Sequence, residues 1–292
     1  MISRTLVPLA VVLLTLGLGC ATTKTSVPNL TPIPREEGGH LLLIGGGPKP
    51  DPVVDLFLRL AGGAEASIIV LPLASEDSRE AGADYVKLFE SRGARHVRVI
   101  QIDDRRDSLR AEYAEAISKA GGVFLAGGDQ KRIVDRILDT PIYQALVAMR
   151  QAGGVISGTS AGTACQSDPM LTGFGDEESM RAGNIVTSRG LGFIEGVIID
   201  QHFVKRQRQN RLLSVVLEHP DRLGIGVDEG TAIWVRPDRS LEVLGLGWVE
   251  IFDPAQAVVA TDSEGRLSAT GVIFHALRAG QRYHLATRTV LE

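Results

Sequence analysis

Five apolar runs, three of which end or border on glycine, constrain this chain more than any other feature. His40-Leu41-Leu42-Leu43-Ile44 runs into Gly45-Gly46-Gly47-Pro48. Ser67 to Leu73, His96 to Ile100 and Gly121 to Ala126 follow at regular spacing, the last running into Gly127-Gly128-Asp129-Gln130. The fifth, Gly153-Gly154-Val155-Ile156-Ser157, enters Gly158-Thr159-Ser160-Ala161-Gly162. Continuous apolar runs are strands buried on both faces. The stretches between them carry helical periodicity: Asp51 to Ala61, Ser75 to Arg92 with Ser75 as N-cap, Asp103 to Ala120 with Leu109, Tyr113 and Ile117 on one face, and Arg132 to Ala152 broken at Pro141. Strand and helix alternating at this spacing predict parallel β-α-β units with helices on both faces of one sheet. Ligands bind such sheets at the carboxyl ends of the strands. The corners at Gly45 to Pro48, Gly127 to Gln130 and Gly158 to Gly162 are therefore expected on one edge.

The last corner is G-x-S-x-G. A serine held between strand and helix by small residues projects its hydroxyl alone, beside the free N–H groups of the helix start. The plainer alternative is a small-residue turn in an α/β sheet. The glycines after the first strand do not make a phosphate loop, because no Gly-Lys-Ser/Thr follows and Pro48 lacks a donor. Asp103-Asp104-Arg105-Arg106-Asp107 reads as a solvated helix start rather than a metal site.

Beyond Ser160 the pattern changes. Asp168 to Asn184 reads as loop, and its segment Phe174 to Glu178 is mostly polar. Gly196 to Phe203 is an apolar run ending in Asp200-Gln201-His202, with Arg206, Arg208 and Arg211 behind it and a helix from Arg211 to Glu218. Gly224 to Val235 reads as strand, acidic corner at Asp228-Glu229, and strand. Short apolar runs from Leu241 onward (Leu241 to Leu244, Trp248 to Phe252, Val258 to Ala260, Gly271 to Phe274) predict a β-rich C-terminal section. Serine needs a base and the base an orienting partner. Of six histidines, only His202 ends a buried run beside an acid and an amide, and Glu229 is an acid at another strand end. The chain order Ser160, His202, Glu229 departs from the serine–acid–histidine order of α/β-hydrolases.

These motifs in this order, Gly127 to Gln130, Gly158 to Gly162, Asp200 to Phe203 with the three arginines, and Asp228-Glu229-Gly230-Thr231-Ala232, resemble cyanophycinase and its relatives. The resemblance runs from about Leu41 to Leu285. It implies a flavodoxin-like α/β fold related to class I glutamine amidotransferases, which carry cysteine where Ser160 stands. It also implies a serine exopeptidase, with no cofactor or metal, that cuts a polymer of aspartate bearing arginine on each β-carboxyl. Ser160 would be nucleophile, His202 base and Glu229 its partner. Ala161 and one of Gly127 and Gly128 would form the oxyanion hole. Gln130, Asp200, Gln201, Arg206, Arg208 and Arg211 would meet substrate. Gly46-Gly47-Pro48-Lys49 departs from the family, which often has an acid and a lysine after these glycines. An aspartyl dipeptidase-like hydrolase and a non-catalytic exported binding lipoprotein are the competing readings.

The N-terminus predicts export. Arg4 precedes the apolar stretch Leu6 to Leu18, which closes on Gly19-Cys20. This resembles a bacterial lipoprotein signal with Cys20 as the lipidated residue, although Gly17 stands where that pattern prefers leucine. Residues 1–20 are expected as signal, 21–38 as a flexible tether and 39–292 as one catalytic domain. The protein would be lipid-anchored at a periplasmic or extracellular membrane face, or secreted. With two cysteines and a net charge of −4, neither a disulfide framework nor a nucleic-acid partner is expected. Monomer and homodimer both stay open. Cys165 is expected buried on the helix after Ser160.

Overall fold

The computed structural model describes residues 28–175 and 180–292. Residues 1–20 with Cys20, residues 21–27 of the expected tether, and Asp176 to Glu178 of the polar loop lie outside the described residues. The expected alternation is present: β1 (His40–Ile44), α1 (Asp51–Ala61), β2 (Ser67–Leu71), α2 (Ser78–Ser91), β3 (His96–Val99), α3 (Ala111–Ser118), β4 (Gly122–Leu125), α4 (Gln130–Ile137), α5 (Pro141–Gln151), β5 (Val155–Thr159) and α6 (Ala161–Ala164). Strands β1, β5, β4, β2 and β3 lie side by side in that order, all parallel. Successive residues of β1 point to opposite faces. Leu42 and Ile44 pack with Phe57, Phe89 and Phe124, while Leu41 and Leu43 pack with Ile117, Leu146 and Ile156. Both faces of β1, β2, β4 and β5 are covered, which is why these strands read as apolar runs, while β3 at the sheet edge alternates exposed and half-buried residues.

The rest of the chain is β6 (Met170–Gly175), β7 (Ile185–Ser188), β8 (Val197–Gln201), α7 (Gln209–Glu218), β9 (Leu223–Val227), β10 (Thr231–Val235), β11 (Ser240–Gly245), β12 (Val249–Asp253), β13 (Val258–Thr261), β14 (Leu267–Thr270), β15 (Ile273–Leu277), β16 (Arg282–His284) and β17 (Thr289–Leu291). Strands β10, β11, β16 and β17 extend the main sheet antiparallel beyond β1. The fold is α/β with a parallel core and a β-rich C-terminal section.

Several local expectations differ from the structure. The run ending at His202 is not in the main sheet. It is β8, which pairs with β9 in a separate sheet ordered β15-β12-β9-β8. The segment expected as loop after Asp168 contains the β6–β7 hairpin. Asp77, not Ser75, caps α2: its side chain accepts the Glu80 N–H at 2.9 Å, while Ser75 Oγ donates to the Asp77 carbonyl. Asp103 to Ala120 is not one helix. Asp107 Oδ2 accepts the amides of Asp103 and Asp104, which draws residues 107–109 into a 3-10 turn and leaves Leu109 exposed. Helix α7 starts two residues before Arg211. Residues 28–38, expected within the tether, lie against the domain. Leu30 and Ile33 pack on the α1 side of the core, Ile33 N–H donates to the Arg59 carbonyl, and Arg59 Nε donates back to the Thr31 carbonyl.

Candidate active site

Three glycine corners meet at the carboxyl ends of β1, β5 and β4. Ser160 follows β5 with φ 54° and ψ −115°. Such a backbone costs about 1–3 kcal/mol and persists only where the surroundings enforce it. Here they do. Ser160 N–H donates to the Ile44 carbonyl at 3.0 Å, and Thr163 Oγ1 donates toward the carbonyls of Ile44 and Gly158. The motif glycines are fixed by close approach. A Cβ on Gly158 would stand 2.1 Å from the Gly162 carbonyl oxygen, and one on Gly162 would stand 2.1 Å from that of Leu125.

The Ser160 hydroxyl lies 2.9 Å from His202 Nε2, and His202 Nδ1 lies 2.6 Å from Glu229 Oε1. Serine comes from the main sheet, histidine from the end of β8 in the second sheet, and the glutamate from the turn joining β9 to β10. The loop after β1 binds them together. Gly45 O accepts the His202 N–H at 2.7 Å, and Gly46 O accepts the Gly230 N–H at 3.0 Å. Gly46 has φ 111°, and a Cβ there would lie 2.3 Å from the imidazole. A Cβ on Gly47 would lie 2.9 Å from that of Glu229. The role of these glycines was invisible in the sequence, where they marked only the end of a strand.

Charge is arranged to suit proton transfer. Burial lowers the His202 pKa below its usual 6.5, opposed by the Glu229 hydrogen bond and reinforced by Arg206 and Arg208. The imidazole is therefore neutral at pH 7. The hydrogen bond from His202 lowers the Glu229 pKa, so this carboxylate is ionised there. An ionised Glu229 selects the tautomer with the proton on Nδ1 and leaves Nε2 free to accept from the serine. A hydroxyl so placed can yield its proton as its oxygen attacks a carbonyl carbon.

Ala161 and the Gly127-Gly128 turn both stand beside Ser160. Ala161 opens α6, so its N–H has no carbonyl within the helix to bond. A Cβ on Gly127 would stand 3.3 Å from that of Ser160. The flanking amides of Ala126 and Asp129 donate to Leu71 and Ala74, which pins the Gly127-Gly128 turn.

The residues expected to meet substrate divide into two groups. Gln130, Gln201, Arg206 and Arg208 line a cleft of about 430 Å³ that opens onto Ser160, together with Thr172 and Phe174 of the hairpin. Gln201 Oε1 is 3.5 Å from Ser160 Oγ, and Gln130 Nε2 donates to the Leu171 carbonyl. Asp200 and Arg211 are a correction. Both are 1% exposed and neither lines the cleft. Arg211 Nε donates to Asp200 Oδ2 at 2.8 Å and Nη2 to Oδ1, and Asp200 Oδ1 also accepts the Gln201 N–H. Arg208 Nη1, 3.5 Å from the same carboxylate, donates to the Gln201 carbonyl at 2.8 Å. The pair anchors the end of β8 that carries His202. Its acid had already claimed the arginine that the sequence left available. Thr172 was missed because its segment lacked a strand-like pattern. Cys165 is buried, as expected, and burial raises its pKa.

Comparison with known proteins shows the family of the chain. The profile of peptidase family S51 matches residues 41–243. The cyanophycinase of Trichormus variabilis is 36% identical over 267 residues, covering 88% of this chain and 89% of that protein. The cyanophycinase of Geminocystis herdmanii is 36% identical over 256 residues, covering 85% and 94%. A crystal structure of a peptidase from an acI-B1 Actinobacterium shares the fold, with a TM-score of 0.65 at 21% identity over 85% of this chain and 98% of that one. The chain belongs to peptidase family S51 and, within it, to the cyanophycinase-like peptidases.

Proposed function

We propose that this peptidase is a serine exopeptidase that hydrolyses cyanophycin or related β-aspartyl-arginine peptides through an acyl-enzyme on Ser160. The observation that carries the mechanism is the unbroken contact from Ser160 Oγ through His202 to Glu229, at 2.9 and 2.6 Å. The substrate class rests on identity to cyanophycinases along most of both chains.

In this mechanism His202 Nε2 takes the hydroxyl proton as Ser160 Oγ attacks the carbonyl of the scissile bond. The amides of Ala161 and of Gly127 or Gly128 receive the oxyanion. His202 then hands its proton to the leaving nitrogen. Water then attacks the acyl carbonyl as His202 takes its proton, and the acyl–Oγ bond breaks as His202 passes that proton to Ser160 Oγ. Glu229 stays ionised and stabilises the imidazolium. Arg206 and Arg208 offer planar donors to substrate carboxylates, which arginine pairs better than lysine. Export through the Arg4 to Cys20 segment, with a lipid on Cys20, would place the enzyme where it meets polymer released by other cells.

Four outcomes are expected. The soluble part, Ala21 to Glu292, should release β-aspartyl-arginine from cyanophycin and leave α-aspartyl peptides intact. Ser160→Ala should lower kcat by about 10⁶-fold with an unchanged circular-dichroism spectrum, and near-normal turnover in that variant contradicts the proposal. Gly46→Ala should lower kcat/KM at least ~10²-fold, because the new methyl displaces the imidazole, and wild-type kinetics would show that the contact does not matter. Finally, kcat/KM should fall with acid only below about pH 6.5, since the lowered His202 pKa keeps the base neutral above that value. A limb centred above pH 7 argues against His202 as the base.

A further inference from the structure

A second polar cavity lies at the opposite edge of the main sheet. It has a volume of about 210 Å³ and is walled by Leu41 at the amino end of β1, by Val235, its partner on β10, and by Arg150, Arg236, Arg239 and Glu195. Each arginine already does one structural task. Arg150, at the end of α5, donates from Nη1 to the Phe193 carbonyl at 2.8 Å. Arg236 stacks 3.7 Å from the centre of the Trp234 ring and pairs through Nη2 with Glu242. Arg239 donates from Nη2 to the Glu195 carbonyl at 3.1 Å.

What remains is an excess of positive charge on the wall. Arg150 Nε and Arg236 Nη1 are buried without a hydrogen-bond acceptor. Burial lowers the Arg150 pKa, opposed only by Glu195. His40, 1% exposed, is buried near Arg150 and Arg236 but is not part of the cavity wall. Its Nδ1 accepts from Trp234 Nε1 at 3.3 Å, so the ring proton sits on Nε2, which is buried with no partner. Among the lining residues the carboxylate is that of Glu195, whose side chain is 83% exposed and 4.0 Å from Arg239, while Glu242, which pairs with Arg236, does not line the cavity. Three guanidinium groups therefore face one largely solvated acid.

Guanidinium groups gathered on a cavity wall are matched by oxyanions that accept two or more hydrogen bonds in a plane. The cavity is smaller than the roughly 300–1,000 Å³ of sites for drug-sized ligands, which selects a small anion over a polymer or a nucleotide. We propose that this cavity is a binding site for a small, multiply charged oxyanion, a phosphate or a dicarboxylate, distinct from the Ser160 cleft. The proposal does not depend on the chemistry at Ser160.

The test is the melting temperature of the soluble part with inorganic phosphate, or with L-aspartate, against chloride at equal ionic strength. The wild-type Tm should rise saturably, by about 2–4 °C once the anion exceeds its Kd some fivefold. A rise with phosphate alone, with aspartate alone or with both identifies the ligand class, and each supports the site. Arg150→Gln and Arg236→Gln should abolish the anion-dependent increment, whatever they do to the Tm without anion. Arg206→Gln, in the other cleft, should keep it. No rise in the wild type, a rise that survives both substitutions, or one lost in Arg206→Gln overturns the proposal.

Discussion

The imidazole of His202 joins two sheets that share no hydrogen-bonded strand pair. One ring nitrogen meets the serine of the parallel sheet, and the other meets the glutamate on the chain that crosses from the second sheet back to the first. The site exists only while both sheets hold their relative position. Most of the unusual backbone in this region serves that requirement. Ser160 and His202 both have positive φ, and the Gly45 to Gly47 loop hydrogen-bonds to both sides. Cost and position are linked: strained residues stay strained only because several hydrogen bonds leave them no alternative.

The buried Asp200–Arg211 pair has the same logic. Taking two charges out of water is unfavourable, and removing either partner alone would cost about 3–5 kcal/mol. A hydrophobic pair would hold the core equally well, but would not fix the amide and carbonyl of Gln201. Asp200 and Arg208 bond those two groups directly, one residue before His202. The electrostatic consequence runs the other way at the site. Arg206 and Arg208 disfavour a charged imidazole and line the cleft that opens onto Ser160.

The parallel core was legible because burial on both faces leaves unbroken apolar runs, and the corner at Ser160 was legible because close backbone approach demands glycine at positions 158 and 162. His202 and Glu229 could be chosen because each ends a run beside polar residues. What the pattern hid was partnership. Nothing local to Arg211 shows that Asp200 occupies it, and helical spacing, which sets Arg206 and Arg208 apart and makes Arg208 and Arg211 neighbours, did not show which of the three reach the cleft. The second sheet was hidden for a similar reason, since a buried strand reads the same in either sheet. The α2 cap and the turn at Asp107 were misplaced because short polar side chains compete for nearby amides within a few residues. Leu30 and Ile33 were too few to show a period, yet they suffice to pack residues 28–38 against α1.

The account stands on a covalent intermediate at Ser160. Rapid quenching of the soluble enzyme with a β-aspartyl-arginine substrate, followed by intact-mass and peptide mapping, measures it directly. The predicted result is an adduct of the acyl portion on the peptide that contains Ser160, formed and lost at rates compatible with turnover. Turnover with no adduct in either wild-type or Glu229→Gln enzyme, or an adduct on another residue, would contradict it.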